Sequence, residues 1–127
     1  MRFLTYNAGG LSGRGQNAQR RGSWLLSLLS GGGDIGALAL QETHCFSDDD
    51  LCQAVKDMAA RYTLVHSPAT GGDAFAGVML VISREFEVVQ ERVMIAGRVV
   101  TVRVRNVVFG YEMDLLVVYG YPGGRQE

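Results

Sequence analysis

Cysteine and histidine are scarce, two of each, and the soft metal-ligand chemistry available to the chain is correspondingly thin. Cys45 and Cys52 form no Cys-x-x-Cys pair. A structural zinc site wants a full tetrahedral set of well-spaced Cys and His ligands, so the cluster His44, Cys45 and Asp48 does not read as one. No basic segment followed by an apolar core opens the chain, and no apolar run is long enough to cross a membrane. The chain therefore reads as intracellular, nuclear or cytoplasmic, with reduced thiols. Lysine is nearly absent, since eleven of the twelve basic residues are arginine, and the net charge is −1. A chain so balanced has no global basic field of the kind that drives non-specific nucleic-acid binding. Any phosphate site must be local. Arginine suits bidentate phosphate contacts, but a GC-rich coding bias explains the same excess.

What is present fits one ordinary globular domain, 127 residues long with 47% hydrophobic and 20% charged content. The chain is organised around Asp34-Ile35-Gly36-Ala37-Leu38-Ala39-Leu40-Gln41-Glu42-Thr43-His44. This run of small and apolar residues follows Gly31-Gly32-Gly33 and ends abruptly in polar groups. A buried strand that delivers a carboxylate to a surface cleft has this pattern. In open α/β sheets, sites collect at the carboxyl ends of strands, where rigid core backbone emerges into solvent. Glu42 stands at such an end and is the first candidate for chemistry.

Residues 2–7 mix aromatic and β-branched side chains and then meet Ala8-Gly9-Gly10, which predicts a first strand ending at Asn7. The glycine pair suits a site loop as well as a plain turn. From about Gln16 to Ser30, Ala18, Trp24, Leu25, Leu28 and Leu29 recur at helical spacing with Gln19, Arg20 and Arg21 opposite. The spacing predicts an amphipathic helix closed by a left-handed glycine cap at Gly31-Gly32-Gly33. Strand, helix, strand in this order predicts a βαβ unit with its strands side by side, which puts Asn7 and Glu42 at the same sheet edge. Ser47-Asp48-Asp49-Asp50 reads as a helix N-cap with acids on the dipole, ahead of Leu51, Ala54, Val55, Met58 and Ala59. That gives the aspartates a structural reason without metal.

Arg61 to His66 reads as a short strand, with His66 a polar strand-end residue rather than a catalytic base. A loop over Ser67 to Ala74 follows. Beyond it, Ala76 to Ile82, Phe86 to Ile95, Arg98 to Phe109 and Asp114 to Tyr119 are β-rich runs broken by short turns. Arg98, Arg103 and Arg105 alternate with Val99, Val102 and Val104, the pattern of a strand with one wet face. The expectation is an α/β fold: one mixed sheet with helices on one face, its other face apolar and uncovered by this chain.

Taken together, Leu4-Thr5-Tyr6-Asn7-Ala8-Gly9-Gly10-Leu11, Asp34 to His44, Gly77-Val78-Met79-Leu80-Val81-Ile82-Ser83, Gly97-Arg98-Val99-Val100 and Val118-Tyr119-Gly120-Tyr121-Pro122 resemble the endonuclease/exonuclease/phosphatase superfamily. The nearest flavour is that of apurinic/apyrimidinic endonucleases and the endonuclease domains of non-LTR retrotransposons. The segments come in the family's order and spacing and span nearly the whole chain. The resemblance implies a deoxyribonuclease-I-like four-layer α/β sandwich and hydrolysis of phosphodiester or phosphomonoester bonds with Mg²⁺ or Mn²⁺. It implies that Glu42 binds the metal, with Asn7 beside metal and phosphate. Tyr119 matches a tyrosine that contacts the scissile phosphate, although a strand aromatic packed in the core has the same pattern. Arg98 matches an arginine near the substrate groove. Nucleic acid is the implied partner, without a membrane.

The family's Gly-Asp-x-Asn and Ser-Asp-His segments, which orient or deprotonate the attacking water, do not occur in residues 1–127. Position 9 is Gly where some relatives carry an acid, and Gly120-Tyr121-Pro122 replaces the commoner Tyr-x-Pro-Asn spacing. The expectation is a partial domain, the N-terminal half of the sandwich, inactive alone. The alternatives are a non-catalytic fragment or interaction module using its open sheet face, or a phosphatase or phospholipase type within the same superfamily.

Overall fold

A strand that is apolar on both sides needs cover on both sides. The strand β2 (Ile35–Gln41) is one, with Leu38 and Leu40 pointing one way and Ala37 and Ala39 the other. In the computed structural model, which describes residues 1–120, it joins β1 (Arg2–Asn7), β3 (Tyr62–Ser67) and β4 (Val78–Ser83) in a four-stranded mixed sheet. The order is β1-β2-β4-β3. β1 runs parallel to β2 with Asn7 opposite Gln41, as the βαβ reading expects, and β4 is antiparallel to both β2 and β3. On the Leu38 face lie α1 (Ala18–Ser30) and α2 (Gln53–Met58), which bury Ala18, Leu25, Leu29, Ala54, Val55 and Met58 against Leu38, Leu40, Met79 and Val81.

The opposite face is not bare, which corrects the expectation of a single sheet. β5 (Phe86–Ile95), β6 (Val99–Asn106) and β7 (Glu112–Val118) follow the interior strand β4 and form a second, antiparallel sheet in the order β5-β6-β7. Phe86, Val100, Val102, Val104 and Val117 pack on Ala37, Val65, Val78, Leu80 and Ile82. Energetics decide this arrangement. At about 1.5–3 kcal/mol per large buried side chain, exposing Val65, Val78, Leu80 and Ile82 would forfeit an amount comparable to the whole net stability of a domain, about 5–15 kcal/mol. The chain's own later strands cover the face, giving three layers: helices, sheet, sheet.

Four local expectations change as well. The helix α1 starts at Ala18, and its buried stripe is Ala18, Gly22, Leu25 and Leu29, whereas Trp24 is half-exposed at the stripe's margin with its ring 5.1 Å from that of Tyr6. The left-handed glycine after α1 is Gly32 (φ 77), since Gly31 keeps φ −78. Ser47 makes no side-chain cap bond, Asp48–Asp50 form a separate 3₁₀ turn, and α2 begins only at Gln53. The Asp50 carboxylate is shared between Arg14 (2.8 and 2.7 Å), the Ser12 hydroxyl (2.8 Å) and the Phe46 N–H (3.3 Å). The Arg14 hydrogen bonds hold the Asp50 carboxyl well below the usual range. Finally, Arg98 lies outside the wet face of β6: Arg103 and Arg105 point outward, but Arg98 is buried in the turn before the strand. Among the described residues, no helix is long and apolar enough to cross a membrane.

Candidate active site

At the carboxyl end of β2 the alternation of side chains breaks. In regular pairing Gln41, the register partner of Asn7, would share its face and Glu42 would point away. Instead Glu42 and His44 both take left-handed backbone, φ 58 and φ 57. Such conformations cost on the order of 1–3 kcal/mol each for residues other than glycine and persist only where their surroundings enforce them. Here backbone bonds clamp the segment from both sides. Gly10 and Leu11 donate their N–H groups to the carbonyls of Glu42 (2.9 Å) and Thr43 (2.7 Å), while Thr43 and His44 donate theirs to Gly77 (3.0 Å) and Ala76 (3.0 Å). Two glycines admit the clamp. A Cβ on Gly77 (φ +100) would stand 2.1 Å from Thr43 Oγ1, and one on Gly10 (φ +107) would stand 2.9 Å from His44 Nδ1.

The kink brings Asn7, Glu42, His44 and Tyr119 together. Asn7 Nδ2 donates to Glu42 Oε2 at 2.5 Å, and Asn7 Oδ1 accepts from the Gly9 N–H at 3.0 Å, so the first-strand amide is oriented by its own loop. His44 Nε2 meets Glu42 Oε1 at 3.1 Å, with its ring edge-on to Phe75. The Tyr119 phenol lies close enough to the same carboxylate for each to shift the other's pKa. Partial burial pushes the Glu42 carboxyl up, but its neighbours Asn7, His44 and Tyr119 outweigh it and the net shift is downward. Burial and then the neighbouring Glu42 charge push the Tyr119 phenol up, so it remains a neutral O–H donor. The result is an ionised carboxylate, about a quarter exposed, ringed by donors.

Arg98 is placed one step back. Its guanidinium lies 4.8 Å from the centre of the Tyr119 ring, donates to the carbonyls of Tyr119 (3.1 Å) and Gly120 (2.9 Å), and pairs with the Asp73 carboxylate. Its own carbonyl accepts the Tyr119 N–H at 2.7 Å. Through the carbonyls of Tyr119 and Gly120 it braces the segment that follows β7. Tyr121 and Pro122, the rest of that sequence segment, lie outside the described residues.

A cleft of about 300 Å³ opens beside His44, bounded also by Gly9, Gly10, Ser12, Arg14 and Arg21. Arg21 Nε donates to the Gly10 carbonyl at 2.8 Å, which ties α1 to the cleft floor. The thiol of Cys45 points elsewhere, donating to the Thr43 carbonyl at 3.2 Å, and burial pushes its pKa up to about 12. A metal-binding cysteine must be a thiolate, so Cys45 is a structural residue.

The structure brings Asn7 and Glu42 into contact with Tyr119 near them, and adds His44, Thr43 and Asp73, which the sequence does not single out. His44 stands two residues beyond Glu42, a same-face spacing in a strand, and that was the available signal. Asp73 lay in a loop rich in Gly and Pro, with nothing to pair it with Arg98.

No protein-family model matches the sequence, nor does any curated protein. Among solved structures, the fold is similar to the crystal structure of the AP endonuclease LMAP from Leishmania major, with a TM-score of 0.62 at 16% sequence identity. The match covers 92% of this chain and 39% of that one, so the chain spans about two-fifths of the length of the protein it resembles. At this identity the likeness establishes an AP-endonuclease-like fold.

Proposed function

We propose that residues 1–127 carry the metal-binding part of a Mg²⁺- or Mn²⁺-dependent phosphodiesterase that acts on nucleic acid, and that this part alone does not turn over substrate. One observation carries the reading: an ionised strand-end carboxylate, Glu42, hydrogen-bonded by the side chains of Asn7 and His44, the second of which lines a cleft. The likeness in fold to an AP endonuclease supports the choice of reaction class. The donor set suits a hard ion. Among the described residues no three His, Cys, Asp or Glu side chains converge; Glu42, with Asn7 beside it, would hold the ion, leaving the remaining positions to water and phosphate oxygens.

When bound, the ion polarises a phosphoryl oxygen and neutralises developing charge. The residues of the chain do the rest of what is present. Asn7 fixes the rotamer of Glu42. The neutral Tyr119 hydroxyl is a donor beside the same carboxylate, available to a phosphate oxygen. Arg98 acts through Tyr119 by fixing its backbone and stacking on its ring. The Gly-Asp-x-Asn and Ser-Asp-His segments, which orient or deprotonate the attacking water in the family, do not occur in residues 1–127, which is why these residues are expected to bind without hydrolysing.

The experiment pairs Mn²⁺ binding, read by electron paramagnetic resonance, with nicking of supercoiled plasmid in Mg²⁺, for the wild type and Glu42→Ala. Mn²⁺ binding lost in Glu42→Ala with no nicking by either is the expected result. Absence of binding in the wild type overturns the metal assignment, and robust nicking abolished by Glu42→Ala overturns the claim of inactivity.

A second reading, an interaction module, has its own support. A groove of about 210 Å³ between the two sheets exposes Phe3, Leu4, Leu115 and Leu116. It lies along β1 and β7, each of which has a pairing partner on one side only among the described residues. A phosphatase or phospholipase type would share the Glu42 geometry and differ in the groups around it.

A further inference from the structure

Thr43 separates the two left-handed residues of the site, and it is fully buried. Its hydroxyl lies 3.0 Å from Nε2 of His66, whose Nδ1 lies 2.8 Å from Asp48 Oδ1. The ring of His66 is buried, its side chain 2% exposed, while Asp48 sits at the surface. These distances fix the protons. An ionised aspartate only accepts, so Nδ1 carries the hydrogen, and in the neutral ring Nε2 is left as an acceptor for the Thr43 O–H. A directed chain results, Thr43 to His66 to Asp48, with the second lone pair of Thr43 Oγ1 facing the Cys45 N–H at 3.4 Å.

We propose that His66 is a positioning residue for Glu42: by accepting the Thr43 hydroxyl it holds the residue on which the left-handed pair at 42 and 44 pivots, and so aims the carboxylate at Asn7. The inference rests on Glu42 being the working group of the site, but not on a metal being there. The cavity for the Thr43 side chain exists because residue 77 lacks a Cβ, and the buried His66 closes its other end. Without the acceptor, the buried Thr43 hydroxyl is left with its hydrogen unpaired, and the strained turn loses the contact that offsets it. Thr43 is inaccessible to solvent, so the Thr-His-Asp order here transmits position and is not a nucleophile relay.

Two substitutions separate the two ends of the ring. Glutamine places its amide where Nε2 was and keeps the bond to Thr43, whereas asparagine places its amide near Nδ1 and keeps the bond to Asp48. Amide hydrogen exchange is the readout, on Gly10, Leu11, Thr43 and His44, whose N–H groups make the clamp, with Leu80 and Val81 of β4 reporting global stability. His66→Asn is expected to lower protection of the clamp amides about tenfold beyond any change in β4, while His66→Gln leaves them level with β4. Thr43→Val, which removes the hydroxyl at nearly constant volume, is expected to copy His66→Asn. Equal losses in clamp and core for His66→Asn and Thr43→Val would overturn the proposal, as would His66→Gln behaving like His66→Asn. Mn²⁺ titration of the same variants adds a separate arm. Affinity that falls with clamp protection supports the link to Glu42, and affinity unchanged in His66→Asn despite an opened clamp overturns it. A wild type that binds no Mn²⁺ removes the metal assignment, and the exchange pattern then decides the positioning role by itself.

Discussion

Asn7 Nδ2 and Glu42 Oε2 stand 2.5 Å apart, joining the carboxyl ends of two parallel strands that are 35 residues apart in sequence. The contact exists because β1 and β2 are hydrogen-bonded neighbours in one register and because Glu42 leaves the strand alternation immediately after it.

Replacing Asn7 with aspartate turns this donor into a second carboxylate. Like charges at that distance cannot both ionise at their usual pH, so one of the pair is expected to titrate upward by about a unit or more. Carboxyl-carbon NMR across a pH series reads it directly. Asn7→Ala moves Glu42 the same way by less, because the hydrogen bond that lowers its pKa is lost without a new charge. A Glu42 titration identical in wild type and both variants would show that the contact is not made in solution.

Gly77→Ala tests the clamp from the other side. The new methyl would meet Thr43 Oγ1 at 2.1 Å in a backbone conformation, φ +100, that side chains rarely adopt, so neither partner can yield cheaply. A loss of about 3 kcal/mol is expected, seen as a melting temperature lowered by roughly 10 °C. Gly9→Ala is the control for positive φ alone, since nothing lies within 4 Å of its Cβ position, and it is expected to lose about 1 kcal/mol.

The difference between these glycines shows where sequence stops being legible. Residues 2–7 and 35–42 could be paired in advance, because a strand, a helix and a strand in close succession allow essentially one right-handed arrangement. That placed Asn7 beside Glu42. Tyr119 could be carried to the same place only by the family pattern, since a strand aromatic is as often core. The second sheet was not legible. Whether β5 to β7 extend the first sheet or fold over it depends on turn geometry at residues 84–85, and the run Val78 to Ile82, buried throughout, fits either. His66 was equally opaque, because both of its partners, Thr43 and Asp48, are distant in sequence and neither spacing follows a period. Nor was the pairing of Asp50 with Arg14 foreseeable from Ser47-Asp48-Asp49-Asp50.

Asp73 is the counter-ion of a guanidinium that is itself buried, Arg98 being 7% exposed. Removing one member of such a pair leaves the other charge inside the protein. Because Asp73 is partly solvated, the loss for Asp73→Ala is expected near 2 kcal/mol, below that of a fully buried pair. Denaturant titration measures it. The Tyr119 ring resonances are expected to shift as well, since Arg98 lies over that ring and holds its carbonyl. Unchanged stability together with unchanged ring shifts would mean that Arg98 does not brace Tyr119.

His66 predicts how stability depends on pH. Burial lowers its pKa below the ordinary 6.5, and this outweighs the opposing pull of Asp48, its hydrogen-bond partner, and of Asp50. In the unfolded chain the ring takes up a proton near 6.5, while in the folded chain it resists doing so until lower pH. Across that interval the unfolded state binds more protons, so stability must rise with pH. The contribution is complete above about pH 7 and is lost as pH falls through 6.5 toward the folded value. Urea unfolding of the wild type between about pH 5 and pH 8 should therefore show a midpoint that climbs with pH. His66→Gln, which cannot titrate but keeps the bond to Thr43, should flatten the part of that climb due to His66 and leave the midpoint at the high-pH end nearly unchanged. A slope as steep in His66→Gln as in the wild type would assign the pH dependence to other groups and remove the buried neutral histidine from the account.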